Sequence, residues 1–200
     1  SLDPMPGLHI IGLDSNVITN WGGHIPQAEL KFLDKDLSAN QNKVNVVFCH
    51  HNFLPWHKDD EFGGKFDKFQ VDNGAEVRKI FEKYVPSVQL VLTGHRHIGL
   101  RHKEINGVNY IVNPPAVSYP NQYTIYTLTP NSISYETQWI PVEKEIIDTA
   151  KANLIAATGD WWRGSDAPVG PEGDKVMLEF FEGPGDLLKK GTIELKPIAQ

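Results

Sequence analysis

The 200-residue sequence contains a single cysteine, Cys49, and therefore cannot form an internal disulfide bond. It contains no apolar run near the roughly 18 residues that a membrane-spanning helix needs. Its first residues have neither the basic region nor the apolar region of a secretory signal. From these absences we expect a reducing, cytoplasmic compartment and no membrane partner.

The sequence also lacks an excess of positive charge. Nineteen basic residues stand against 25 acidic residues, for a formal net charge of −6. This balance argues against broad electrostatic binding to a nucleic-acid polymer or an anionic membrane. A protein of this charge that handles phosphate must do so locally, with metal ions or a few placed cations. Position 1 is serine rather than methionine, which is compatible with a processed product or a fragment.

Strand and helix patterns alternate in the first half of the sequence. Largely apolar runs predict buried strands at 8–14, 44–49 and 88–92. Apolar residues near the 3.6-residue period predict a helix that begins at Pro26 and a second helix over 74–84. This β-α-β-α-β order predicts an α/β layered fold with a mixed sheet.

Short strands with tight breaks follow. Four strands are predicted, and the breaks at Asn106-Gly107 and Pro130-Asn131 indicate an antiparallel meander. The strands cover 99–105, 108–112, 123–128 and 132–139.

The composition changes near Pro141, so we divide the chain into a domain over 1–142 and a carboxyl-terminal extension over 143–200. The extension is predicted to contain a helix, a loop with a Trp161-Trp162 packing anchor, and a β-hairpin. The helix covers 143–157, the loop 158–173, and the hairpin strands 176–181 and 192–195. We interpret this extension as a packing element or as the arm of a homodimer.

Histidines follow two of the predicted buried strands directly. His50 and His51 come after the strand at 44–49, and Gly94-His95-Arg96-His97 comes after the strand at 88–92. Ligands of open α/β sheets bind outside the carboxyl ends of the strands. In a regular strand, His95 and His97 would point to the same face. Imidazole suits zinc, iron, cobalt or manganese better than calcium or magnesium, so the pattern indicates a transition-metal site.

A single histidine after an apolar strand is more often a buried structural residue than a ligand, but two such strand ends together favour the metal site. His9 is interpreted as structural. Arg96 is open to two interpretations: it contacts phosphate, or it is either a solvent-facing residue or part of a salt bridge to the acidic tail. Cys49 is expected to be a small buried apolar residue rather than a ligand.

Several motifs together resemble a known family. The segment Cys-His-His-Asn-Phe-Leu-Pro at 49–55, with Gly-His-Arg-His at 94–97, is similar to the carboxyl-terminal half of the calcineurin-like metallophosphoesterases. The upstream Gly-Leu-Asp-Ser at 12–15 and the later segments 106–110 and 114–120 resemble the group of cyclic-nucleotide and glycerophosphodiester phosphodiesterases. The resemblance covers residues 8–140.

The resemblance implies a four-layer α-β-β-α sandwich with two metal ions, each of which is iron, manganese, zinc or cobalt. His50 and His95 would bind one metal and His97 the other, and a carboxylate would bridge them. His51 would lie near the substrate, where it contacts phosphate or donates a proton as a catalytic residue. The implied reaction is hydrolysis of a phosphodiester or phosphomonoester by in-line displacement.

The motifs that the family carries in its amino-terminal half do not occur in this sequence. Asp-x-His, Gly-Asp-x-x-Asp and Gly-Asn-His-Asp/Glu are all missing, and Asp14 is interpreted as structural. We therefore expect the chain to be inactive alone and complete only with an amino-terminal half supplied as a separate or cleaved chain. Half of a sandwich would leave one sheet face bare, and this face needs a cover.

Two alternatives stand beside the hydrolase. In the first, the chain is a non-catalytic half-protein or a metal-binding module. In the second, it is a cupin-like barrel, but Glu104 follows His97 at seven residues, too far for that pattern, and the β-α-β-α-β opening disagrees with a barrel.

Overall fold

Six strands form a mixed sheet that carries the three predicted buried strands at its centre. The computed structural model of the protein describes residues 1–156 and 167–198. The strands are β1 (Leu2–Met5), β2 (Leu8–Leu13), β3 (Val44–Cys49), β4 (Val88–Thr93), β5 (Arg101–Ile105) and β6 (Val108–Val112). Their spatial order is β1-β2-β3-β4-β6-β5. Strands β2, β3, β4 and β6 are parallel, while β1 and β5 are antiparallel edge strands.

A second, three-stranded antiparallel sheet consists of β7 (Gln122–Leu128), β8 (Ser132–Trp139) and β9 (Lys190–Glu194). The predicted meander is therefore divided between two sheets. The hairpin at Asn106-Gly107, where both residues have positive φ, extends the larger sheet. The α/β class with a mixed sheet is confirmed, and the parallel β2-β3-β4 arrangement rules out the cupin-like barrel.

Two helices cover one face of the larger sheet, as predicted. They are α1 (Gln27–Ala39), which begins after Pro26, and α2 (Gly74–Lys83). Apolar residues of these helices pack against the sheet and form the main core, which includes Leu33, Leu37, Phe81, Ile11, Val47 and Val91. This core fixes the sheet and thereby the positions of the loops at its carboxyl edge.

The three-stranded sheet covers part of the opposite face. Leu90 and Ile111 of the larger sheet pack against Ile133 and Ile193 of the smaller one. A strip over β2 and β3 stays uncovered by the described residues, and Phe48 on this strip is 50% exposed. The described layers are therefore helix, sheet and sheet, and the four-layer sandwich stays a prediction.

The predicted carboxyl-terminal hairpin is wrong. The helix α3 (Lys144–Ala156) is present, but residues 176–181 lie inside a second helix, α4 (Pro171–Glu182), and β9 pairs with β8 instead. Gly173, Met177 and Phe181 recur every four residues and are the buried positions of α4, so the helical period prevails over the apolar run. Pro171 opens the helix, so the predicted loop ends earlier than residue 173.

The helix α4 packs on the end of the larger sheet. Met177 and Phe181 form a cluster with Ile98 and Val112. The Arg101 guanidinium donates hydrogen bonds to the last carbonyl groups of α4, including that of Phe180 at 2.5 Å. The domain division at residue 142 stays a prediction, and Trp161-Trp162 lies outside the described residues. Among residues 1–156 and 167–198, no helix has the length and apolar content to cross a membrane.

His9 has the structural role predicted for it. Its ring nitrogens lie 2.6 Å from an Asp3 oxygen and 2.9 Å from an Asp36 oxygen, so the buried ring ties β1 to α1. Lys43 adds a bond of 2.7 Å to Asp3. The strand β1 was not predicted, and its sequence carries no alternating pattern that would indicate one.

Candidate metal centre

Three histidines meet at the carboxyl edge of the larger sheet. His50 and His51 follow β3, and His95 follows the adjacent parallel strand β4. The ring centroids are 4.9 Å apart for His50 and His51, 4.8 Å for His50 and His95, and 4.3 Å for His51 and His95. One nitrogen from each ring lies within 4.8 Å of the others. We call these three residues the imidazole cluster.

The His95 loop has a left-handed backbone. The φ angles of His95 and His97 are 59° and 49°, a region that side chains other than glycine rarely adopt. The two residues therefore do not follow the alternation of a regular strand, and the expected shared face is wrong. His97 lies outside the imidazole cluster, and its Nδ1 atom is 3.1 Å from the Ser118 hydroxyl oxygen.

Asn52 fastens the two histidine loops to each other. Its amide nitrogen donates to the Gly94 carbonyl at 3.2 Å, and its oxygen accepts from the Trp56 indole at 3.1 Å and from the Thr93 hydroxyl. The Gly94 amide also donates to the His50 carbonyl at 3.1 Å. These bonds hold the end of β3 against the end of β4.

Arg96 anchors the loop that contains His95 and His97. Its Nε atom donates to Asp60 at 2.7 Å, and both side chains are almost fully buried. The guanidinium lies 4.4 Å from the Phe66 ring centroid and 5.2 Å from that of Phe180. Arg96 is therefore neither a surface residue nor paired with the acidic tail: its carboxylate partner lies in the segment after β3.

The side chain of His51 is held in one orientation and one tautomer. Its Nε2 atom is 3.2 Å from the Trp21 carbonyl, which can only accept, so Nε2 carries the proton. The neutral ring then accepts at Nδ1 from the Ser15 hydroxyl, 2.7 Å away. Cys49 is buried, as expected, and its thiol donates to the Ser15 oxygen at 3.1 Å.

A glycine makes room for this arrangement. A Cβ atom at Gly23 would lie 2.8 Å from the His51 ring, closer than a carbon atom can approach. Any side chain at this position would displace the ring or the loop that carries the Trp21 carbonyl.

Burial keeps His51, His95 and His97 neutral at neutral pH. It lowers the pKa of His95, and the nearby His51, His50 and His97 add to the effect, so that the pKa falls to about 3. Burial, followed by the neighbouring His50, also lowers the pKa values of His51 and His97. Neutral imidazole is the form that binds metal.

The donor set fits a transition-metal ion. Two nitrogens bound to tetrahedral zinc lie about 3.3 Å apart, given bonds of about 2.0–2.1 Å. The separation of 2.9 Å between His95 Nδ1 and His50 Nε2, and the limit of 4.8 Å for the whole cluster, bracket that value. The buried Nε2 atom of His95 has no hydrogen-bond partner of normal geometry among the described residues. The Trp21 carbonyl nevertheless opposes part of the lowering of the pKa of His95.

No carboxylate joins the imidazole cluster within the part of the chain that the structure describes. Asp14, which the sequence interpretation treats as structural, accepts from the backbone and side-chain nitrogens of Asn16 at 3.0 and 2.7 Å. Its carboxylate therefore stabilises a local turn, in agreement with the structural interpretation.

The remaining histidines lie apart from the cluster. His24 contacts Asp72 at 2.6 Å, His102 contacts the Asn109 amide oxygen at 2.9 Å, and the His57 ring packs on Phe180. Ser15 and Asp60, which support the cluster, were not among the predicted functional residues. A polar residue just after a strand, such as Ser15, is the only signal that could have indicated one of them.

Acid should destabilise this protein before its carboxylates titrate. Histidines in the unfolded chain take up protons near pH 6.5, whereas His51, His95 and His97 have lowered pKa values in the folded state. Stability is therefore present above about pH 6.5 and is lost as the pH falls toward 3. Urea denaturation at pH 7.5, 6.0 and 5.0 should show a falling free energy of unfolding. The variant His95→Gln should fall less steeply, and a wild-type value that stays constant over this range would contradict the account.

Ser15→Ala should release the tautomer of His51. The Nδ1 atom then loses its donor and only the Trp21 carbonyl still holds the Nε2 proton, so a minor Nδ1-protonated form should appear beside the Nε2-protonated form in ¹⁵N chemical shifts of the His51 ring. The loss of this buried bond should cost about 1 kcal/mol of stability. Ser118→Ala is the matched control, since Ser118 contacts His97 and should leave the His51 signals unchanged. Unaltered His51 shifts in Ser15→Ala would show that Ser15 does not fix the ring.

The chain is similar in part to known proteins. No family model matches the chain. Over 137 residues it is 28% identical to a probable cyclic nucleotide phosphodiesterase of Ruthia magnifica subsp. Calyptogena magnifica, a match that covers 66% of this chain and 56% of the relative. The chain thus spans about half the length of the curated relative it matches.

A solved structure also matches in part. The crystal structure of a dimetal phosphatase from Danio rerio aligns with a TM-score of 0.44 and 20% identity, covering 56% of this chain and 35% of that chain. The activity for which the sequence relative is named agrees with the phosphodiesterase group that the motifs resemble.

Proposed function

We propose that this chain is the downstream part of a metal-dependent phosphoester hydrolase that cleaves a phosphodiester or a phosphomonoester. The observation that carries the proposal is the cluster of three imidazoles at the carboxyl ends of β3 and β4. The distant similarity to a probable cyclic nucleotide phosphodiesterase supports the reaction class.

In this proposal His50 and His95 hold one metal ion and His97 a second. Bound metal ions supply Lewis-acid polarisation of a phosphoryl oxygen and activation of water. His51 contacts the substrate phosphate as the catalytic residue. Ser15 keeps its Nε2 proton available as a donor, and the phosphate oxygen takes the place of the Trp21 carbonyl as acceptor.

We further propose that the acidic ligands come from polypeptide outside this chain. Three imidazoles neutralise no charge, so two divalent ions need carboxylates, and the described residues bring none to the cluster. The exposed strip around Phe48 is a surface on which an amino-terminal half could complete the sandwich. The chain alone is therefore expected to bind metal without turnover.

Metal titration and a phosphatase assay test the proposal together. The purified chain is titrated with Zn²⁺ and Mn²⁺ by calorimetry and assayed with bis(p-nitrophenyl) phosphate and p-nitrophenyl phosphate. The native material is examined by intact mass for a co-purifying polypeptide of about 80–120 residues, a usual domain size. The expected result is metal binding by the chain alone and turnover by the complex.

A metal-binding module without catalysis is the second candidate, favoured by the absence of carboxylates from the cluster among the described residues. In that case a complete complex binds metal but leaves both esters intact. If the chain binds no transition metal, both candidates are wrong. His24→Ala is the control for non-specific binding, because His24 lies outside the cluster and pairs with Asp72.

A further inference from the structure

We propose that the cavity beside His97 binds the alcohol part of the phosphoester and that this part is an uncharged, ring-sized group. This inference rests on the proposed function and names the substrate class for the same site. Nothing in the motif analysis assigned a role to this cavity.

The cavity lies between the His97 loop, residues 117–119 and the two carboxyl-terminal helices α3 and α4. Its volume is about 330 Å³. Leu154 of α3 and Phe181 of α4 form apolar walls, and Asn153 contributes a polar side chain. Small-molecule sites are typically apolar cavities with a few polar groups, in a range of about 300–1,000 Å³. The size suits one ring system.

The charge of the lining defines the occupant. Among the residues that the structure describes, none that lines the cavity is Asp, Glu, Lys or Arg. Burial raises the pKa of Tyr119, so its hydroxyl is neutral at neutral pH. Lys151, which lies over the Tyr119 ring, is paired with Glu182 at 2.7 Å. A polyphosphate or another charged group would find no counter-charge in this lining, whereas an uncharged ring would replace water on apolar walls.

His97 connects the cavity to the imidazole cluster. It follows His95 by two residues and also lines the cavity. The Ser118 hydroxyl occupies its Nδ1 side, which leaves Nε2 for the metal ion of the proposed function. A phosphate near the cluster would therefore have its ester oxygen on the side of the cavity, and the attached alcohol would enter it.

A cavity-filling variant tests this site. Ala150→Leu adds bulk on the cavity wall from α3, and Ala152→Leu makes the same change at an exposed position of the same helix. Phenol binding to the chain is followed by amide shifts of Ser118 and Asn153 without metal. With Zn²⁺, the dissociation constants of benzylphosphonate and methylphosphonate, which resist hydrolysis, are compared by calorimetry.

Wild type and Ala152→Leu should bind phenol and should bind benzylphosphonate about tenfold more tightly than methylphosphonate, or about 1.4 kcal/mol. Ala150→Leu should lose phenol binding and reduce the ratio to about one. Equal ratios in the two variants, or no shifts with phenol, would overturn the inference. The inference would also be overturned if phenol bound but benzylphosphonate bound the zinc-loaded chain no more tightly than methylphosphonate. Failure of zinc itself to bind would instead refute the proposed function. In that case, loss of phenol binding in Ala150→Leu would still show that the cavity accepts a ring.

Discussion

Arg96→Ala is expected to lower the free energy of unfolding by about 3–5 kcal/mol, because it leaves the buried Asp60 carboxylate without its counter-ion. Both partners are at least 95% buried, and water cannot replace the guanidinium. Two backbone amides, those of Trp56 and His57, also donate to the second Asp60 oxygen at 3.0 and 3.1 Å, so the carboxylate cannot turn toward solvent. Urea denaturation at pH 7.5 measures the loss.

The reciprocal variant has the same expected effect. Asp60→Ala leaves the guanidinium buried between Phe66 and Phe180, and the double variant should cost less than the sum of the two single variants. Lys144→Ala is the matched control, since its partner Asp148 and the lysine itself are both exposed, and it should change stability by less than about 0.5 kcal/mol. Additive losses in the double variant would mean that the pair does not act as a unit.

His95→Ala is expected to reduce the affinity for Zn²⁺ by at least about 100-fold, and His50→Ala should do the same. Each substitution removes one of two nitrogens that lie 2.9 Å apart, and no carboxylate of the described residues can take its place. Competition with a chelating dye of known zinc affinity measures the change at pH 7.5, where the lowered pKa of His95 keeps its ring neutral.

His24→Ala serves as the control for these affinities, because it removes an imidazole without touching the cluster. It should bind zinc as tightly as wild type. If His50→Ala and His95→Ala also bind like wild type, then the zinc ion lies elsewhere and the assignment of these two ligands is wrong. A loss of folding is distinguished by circular dichroism, since neither histidine belongs to a strand or a helix.

The central part of the fold could be predicted because its signals are local. Largely apolar runs identify β3 and β4 as buried parallel strands, and parallel strands end at one edge, which brings His50 and His95 together. The relation of His95 to His97 could not be predicted by the same means. It depends on two left-handed residues after Gly94, which flank the buried Arg96, and the partner of Arg96, Asp60, lies in a distant segment of the sequence.

The supports of the cluster escaped prediction for a related reason. Ser15 and His51 are 36 residues apart in sequence, and so are Asp60 and Arg96. No spacing rule connects such residues before the sheet is assembled. In the carboxyl-terminal tail a local pattern misled the prediction. Residues 176–181 are apolar enough for a strand, but Met177 and Phe181 pack against Ile98 from one face of a helix.

The most direct test of the metal centre is an anomalous difference map at the zinc absorption edge, from crystals of this chain grown with Zn²⁺. The account predicts a peak at bonding distance, about 2.0–2.1 Å, from one ring nitrogen of His50 and one of His95. A strong peak bound only by other residues, or no peak at the carboxyl ends of β3 and β4 under saturating zinc, would contradict it.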